Sequence, residues 1–172
     1  IGTGPRLQML TEDADANARI EDAFEQWSRA VDLAGKLRTM RLARAESGEA
    51  FALLVNNPAI TSWGSPVSLD LKLIEADQVC TPLLRRGRTD EIDGIVLDQW
   101  GNPSAYRVLK RHPGDSGVLR APIDDLSAYD TFAASAVVHY FRSDRPGQLR
   151  GIPDITPALP LFAQLRRYTL AT

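Results

Sequence analysis

Residues 11–48 carry a helical pattern. Ile20, Phe24, Trp27 and Val31 follow one another at spacings of four, three and four, which puts them on one face of a helix. Thr11, Glu12 and Asp13 supply N-cap candidates and early negative charge. Gly35 interrupts the pattern. A second helix then carries Leu37, Met40 and Ala43 on one side and Lys36, Arg38, Arg41 and Arg44 around the other, with Gly48 placed to stop it. The period changes at Ala50. Residues 51–55 form a short apolar run ending at Asn56-Asn57-Pro58, the signature of a buried strand and turn. Val67, Leu69, Leu71 and Leu73 alternate with Ser68, Asp70 and Lys72, as in a strand with one buried and one wet face. These two strands are expected to pair as a hairpin across a loop containing Trp63 and Gly64.

Residues 92–97 and 105–109 read as a second hairpin around Asp98-Gln99-Trp100-Gly101-Asn102-Pro103. Residues 111–134 mix Pro, Gly, Asp and Ser without a clear period and read as an excursion. A strand resumes at residues 136–141, after which Thr156 and Pro157 open an amphipathic helix striped by Leu161, Leu165 and Tyr168, with Phe162 beside it. Pro160 implies a kink or a late start to that helix. The expectation is an α+β fold, a mainly antiparallel sheet of about five strands covered by the N-terminal helices, with a C-terminal helix truncated by the chain end. Residues 1–153 would form one domain, and residues 154–172 the start of the following helix. Ile1 stands where an initiator methionine is expected and no stop signal follows Tyr168, so the chain is expected to be an internal piece of a longer protein.

Composition narrows the class. The 172 residues are 44% hydrophobic and 24% charged, as in an ordinary globular protein, and no apolar run approaches the roughly 20 residues a membrane helix needs. A net charge of −2 gives the whole molecule no drive towards nucleic acid. The single cysteine, Cys80, excludes an internal disulfide and lies beside no cation that would activate it.

Chemistry is sparse. His112 and His139 are the only histidines, and neither sits in a metal-binding pair. His139 lies in an apolar strand and reads as a satisfied structural group, and His112 before Pro113-Gly114 reads as a loop residue. Asp124 and Asp125 are adjacent and would point apart. No phosphate-binding glycine loop is present, and no G-x-S-x-G elbow supports Ser135 or Ser143 as a nucleophile. Basic clusters remain. Arg85, Arg86 and Arg88 are candidates for contact with a phosphate or a partner's carboxylates, and so are Arg38, Arg41 and Arg44, against the simpler reading of a solvated face. Arg145, Arg150, Arg166 and Arg167 gather around the last strand-to-helix connection.

Several blocks in order resemble the lambda-type family of tailed-bacteriophage portal proteins. They are Gly2-Thr3-Gly4-Pro5-Arg6-Leu7-Gln8 before a helix with Trp27; Glu46-Ser47-Gly48-Glu49-Ala50-Phe51; Leu71-Lys72-Leu73-Ile74-Glu75-Ala76-Asp77-Gln78-Val79; and His139-Tyr140-Phe141 with Arg145-Pro146-Gly147-Gln148-Leu149-Arg150-Gly151-Ile152-Pro153. Ile92-Asp93-Gly94-Ile95-Val96-Leu97-Asp98, Gly101-Asn102-Pro103-Ser104-Ala105-Tyr106 and His112-Pro113 add to it. Asp154-Ile155 departs from the family's Trp-Leu.

The resemblance implies a non-enzymatic structural subunit, its N-terminal wing region represented here, in a portal ring, usually dodecameric, at a capsid vertex. The ring would be the conduit for DNA packaging and ejection, in the virion and, during assembly, in the bacterial host cytoplasm. It implies partners in further copies of itself and in terminase, capsid and head-tail connector proteins, with DNA passing without sequence-specific binding. No cofactor, metal or membrane is implied. Arg145, Gln148 and Arg150 are the candidate subunit-interface residues. Two other readings compete: a stand-alone α+β protein-binding adaptor, and a hydrolase pairing His139 with Asp144.

Overall fold

A computed structural model describes residues 4–115 and 126–171. Helix α1 spans Ala14–Ala30 and α2 spans Leu33–Ser47. Asp13 caps α1, its carboxylate accepting from the Ala16 amide at 2.9 Å. The break between the helices falls at Asp32 rather than at Gly35. Asp32 adopts φ +50° and caps α2 by accepting from the Gly35 amide. Gly35 is there because a Cβ would lie 2.1 Å from the Asp32 carboxylate. Gly48, at φ +90°, ends α2 as expected.

The strands are β1 (Glu49–Asn56), β2 (Leu69–Ile74), β3 (Glu91–Ile92), β4 (Ile95–Leu97), β5 (Pro103–Leu109), β6 (Tyr129–Ala133) and β7 (Val137–Phe141). All pairings are antiparallel, and the fold is α+β. The strands divide between two sheets instead of joining in one. The first has the order β2-β1-β7 and the second β3-β4-β5-β6. In the first, Phe51 of β1 lies opposite Ile74 on one side and His139 on the other.

Central position explains the apolar run of β1. Phe51 and Leu53 face the second sheet, where they pack with Ile74, Val79, Ile95, Tyr106 and Val108. Ala50 and Ala52 face α2, meeting Met40, Ala43, Leu71, Leu73 and Tyr140. Small residues on that face let the helix approach closely. Each large side chain buried in the core contributes about 1.5–3 kcal/mol.

The cover is α2 more than α1. Val31, Leu33 and Ile60 form a separate small core against which Phe24 and Trp27 are half-buried, and the Trp27 indole donates to the Leu69 carbonyl at 2.7 Å. Ile20 remains 44% exposed, as do Val67 and Leu69 at 49% and 43%. The alternation of residues 67–73 is therefore buried only where α2 reaches it.

Two expectations in the second sheet are revised. Residues 92–97 are not one strand, because Asp93 and Gly94 both have positive φ, +45° and +83°. That pair makes the tight turn joining β3 to β4, of the type that matches strand twist. Part of the expected excursion is also a strand: β6 completes the sheet by pairing with β5 from Ala105↔Ala133 to Leu109↔Tyr129. Asp124 and Asp125 lie outside the described residues. Helix α3 spans Leu159–Ala171 after a 3-10 turn at Thr156–Ala158, so the helix starts late and Pro160 falls in its first turn.

Candidate functional site

The connection after β7 is densely hydrogen-bonded. At its start, Gln148 fastens the turn: its Oε1 accepts from the Asp144 amide at 2.9 Å, and its Nε2 donates to the carbonyls of Arg142 and Arg150. Gly147, at φ +72°, allows the reversal. Arg145 is exposed on that turn, its carbonyl accepting from Ser143 Oγ.

Arg150 points inward. Its Nε donates to Glu49 Oε1 at 2.6 Å, and its remaining nitrogens reach the carbonyls of Val79 (2.9 Å), Asp93 (2.5 Å) and Ala76 (3.2 Å). The guanidinium also lies over the Phe51 ring, 5.5 Å from its centre. One side chain thus joins β1, the segment leading out of β2 and the β3–β4 turn. These bonds suit Arg150, because a planar fork of five donors can reach several carbonyls and a carboxylate at once.

Glu49 is the centre of this network, with 3% of its surface exposed. Its second oxygen accepts from the Gly151 amide at 2.9 Å and from His139 Nε2 at 2.9 Å. Burial alone would raise the Glu49 pKa. The hydrogen bonds from His139, Arg150 and Gly151, with the charge of Arg150, outweigh it and hold the carboxyl below its ordinary value. His139 is stacked between Phe51 and Phe141, each ring centre 4.2 Å away. Tyr106 Oη lies 3.5 Å from its Nδ1, and burial followed by the charge of Glu49 raises the tyrosine pKa. A donor committed to a buried carboxylate and clamped by two rings positions strands. The geometry gives the hydrolase reading no pair either, since Asp144 is held by Arg142 at 2.7 Å.

The other arginines divide similarly. Arg88 is bidentate to Asp90, 2.8 Å on each arm, and this hydrogen bonding holds the Asp90 carboxyl down to about 2. Arg85 approaches Glu91, which is already bound by Arg107 at 3.0 Å. Arg86 is exposed beside a cavity of about 530 Å³ that Arg150 and Thr81 also line. Arg41 and Arg44 meet Asp154 at 3.2 and 3.9 Å, and Arg44 also donates to the Tyr140 hydroxyl. Asp154, which breaks the Trp-Leu pattern, is therefore a tie between the connection and α2. Sequence reasoning missed Glu49 as the buried centre of this network. The available signal was a lone carboxylate opening an apolar strand.

Among the described residues no group of three His, Cys, Asp or Glu side chains is placed to hold a metal, and no helix is long and apolar enough to cross a membrane. The domain consists of two packed antiparallel sheets, a helical cover and a buried polar network centred on Glu49. The profile of the phage portal protein, lambda family, matches residues 1–172, and the chain belongs to that family. A probable portal protein of Halomonas phage phiHAP-1 is 27% identical over 150 residues, covering 81% of this chain. The chain spans 27% of that relative's length.

Proposed function

We propose that this chain is the N-terminal part of the wing region of a portal subunit, with residues 1–153 a partial wing-like domain and residues 154–172 the beginning of the next helix. Copies of the full-length subunit form a ring, usually of twelve, at one capsid vertex, through which DNA is packaged and ejected. The role is structural. Terminase, capsid and head-tail connector proteins are its partners, in the virion and in the host cytoplasm during assembly.

Family membership across the whole chain carries this reading. The near-neutral charge of −2 supports it, because a wall rich in phosphate contacts would bind DNA tightly and with strong salt dependence instead of letting it slide. Arg145 and Gln148 are proposed contributors to subunit contacts, and Arg86 to contact with a partner. The isolated chain is expected to be monomeric or weakly associated. Electron microscopy of the full-length subunit tests the reading: closed rings around a central channel are expected, and a protein that remains monomeric at assembly concentrations overturns it.

A further inference from the structure

Three polar side chains form a line from one sheet to the other: Tyr106 on β5, His139 on β7 and Glu49 at the start of β1. The chain itself encloses them. The His139 and Glu49 side chains are 7% and 4% exposed, and Tyr106 is buried. Hydrogens along the line have one arrangement. Glu49 Oε2 lies 2.9 Å from His139 Nε2. Against the penalty of burial, hydrogen bonds from His139, Arg150 and Gly151 hold that carboxyl below its ordinary value, and an ionised carboxylate can only accept. Nε2 therefore carries a hydrogen. In the neutral ring Nδ1 is then a bare acceptor, and the Tyr106 hydroxyl, 3.5 Å away, donates to it. Burial, and after it the charge of Glu49, keep that hydroxyl protonated. The direction runs from Tyr106 through His139 to Glu49.

A second proton on the ring can enter only at Nδ1. The titratable and charged groups facing the ring are Glu49 from β1, Tyr106 from β5 and, across the same carboxylate, Arg150 from the connection. Tyr140, next along β7, turns to α2, where Arg44 donates to it. Arg150 opposes a second cation at this point. The ionised Glu49 favours one, and so do the faces of Phe51 and Phe141, stacked on the imidazole with centres 4.2 Å away. Once Nδ1 bears a proton, Tyr106 can no longer donate to it. Its hydroxyl must turn and accept. His139 is the one hydrogen-bond partner of that hydroxyl among the described residues, so the hydroxyl hydrogen is left unpaired in the core, where an unpaired donor is costly.

We propose that His139 is an acid-sensitive latch between the two sheets. The neutral ring holds β5 to β7 through Tyr106, and a proton taken up at Nδ1 while Glu49 is still ionised releases that hold. The Tyr106 contact is long for a hydrogen bond, so it is the link that gives, while the 2.9 Å bond to Glu49 keeps β7 on β1. The latch belongs to the fold and does not rest on the portal reading.

Two measurements on the unaltered protein test it. Nitrogen-15 spectra of the imidazoles in this chain report which ring nitrogen carries hydrogen, and at about pH 8 His139 should show a protonated Nε2 and a bare Nδ1. At about pH 5.5, still above the ordinary 4.5 of Glu49, Nδ1 should have gained a proton. Amide exchange in β5 around Tyr106, corrected for its intrinsic pH dependence, should rise roughly fivefold over the same interval, as for the loss of one hydrogen bond. Mass spectrometry should record the same rise in the full-length subunit. Tyr106→Phe keeps the ring in the core and removes the hydroxyl, so its β5 exchange should be raised at both pH values with no acid step. A hydrogen on Nδ1 in place of Nε2 at the higher pH, or a ring that takes no proton before Glu49 does, overturns the proposal. So does β5 exchange that ignores the protonation in either protein, or an acid step that survives in Tyr106→Phe. If that variant fails to fold, the spectra and exchange of the unaltered protein decide alone.

Discussion

Replacing Arg150 by Met removes the cation that joins both sheets while keeping an unbranched apolar stem. Glu49 would then be a buried carboxylate whose compensation falls to His139 and the Gly151 amide, and three carbonyls, at Ala76, Val79 and Asp93, would lose a donor. Breaking a buried pair from one side costs about 3–5 kcal/mol. Arg150 is still 22% exposed at its side chain and Glu49 keeps two donors, so the low end applies, about 3 kcal/mol. For a chain of this size that lowers the melting temperature by roughly 6–12 °C. Urea unfolding followed by circular dichroism measures the loss. Arg150→Lys should recover only part of it, because one ammonium cannot span the carboxylate and three carbonyls. Combined with Glu49→Gln, the Arg150→Met loss should fall short of the sum by at least ~1 kcal/mol, since the two groups form one network. A loss under ~1 kcal/mol for Arg150→Met, with ring assembly abolished, would refute the internal role and restore Arg150 to a subunit interface.

Acid should act through the same carboxylate. Glu49 has a folded-state pKa below its ordinary 4.5, so its contribution is complete above that value and is lost as pH falls through the lower folded one. The urea midpoint should drop between pH 5 and 3 more steeply for the unaltered chain than for Glu49→Gln; parallel curves would rule Glu49 out as the acid-sensitive tie. Two glycines with φ +90° separate backbone strain from collision: a Cβ at Gly48 would lie 2.6 Å from the Ile152 carbonyl carbon, while one at Gly64 meets nothing. Gly64→Ala should cost about 1–2 kcal/mol from strain alone and Gly48→Ala clearly more, and equal melting-temperature losses would contradict the close approach.

Local rules made much of the fold legible. The Gly48 stop, the Asp13 cap, the hairpin of β1 and β2 and the last strand all follow from signals within a few residues. Two failures were also local. Residues 92–97 looked like one apolar run because Asp93-Gly94 is only two residues long, and β6 was hidden by a segment whose only large apolar groups are Tyr129 and Phe132. The division into two sheets was less accessible, since it depends on which face of β1 meets which partner. The polar network was least accessible of all. Glu49 meets His139 across 90 positions and Arg150 across 101, and no periodicity in a single chain encodes such distances. Arginines near the connection were countable from the sequence, but not their directions: Arg145 is exposed and Arg150 reaches inward to Glu49.

The meeting of Gly48 with Gly151 has a mechanical meaning. A Cβ on Gly151 would lie 2.0 Å from the Gly48 carbonyl oxygen, so the backbone entering the central strand and the backbone leaving for α3 touch with no side chain between them. Immediately beside the contact, Arg150 and the Gly151 amide grip Glu49. A pull on α3 therefore arrives at the first residue of β1 as shear across a short, bolted joint, and through Arg150 at the second sheet. The domain would turn as a single lever under load from that helix, with no slack at the crossing to absorb the motion.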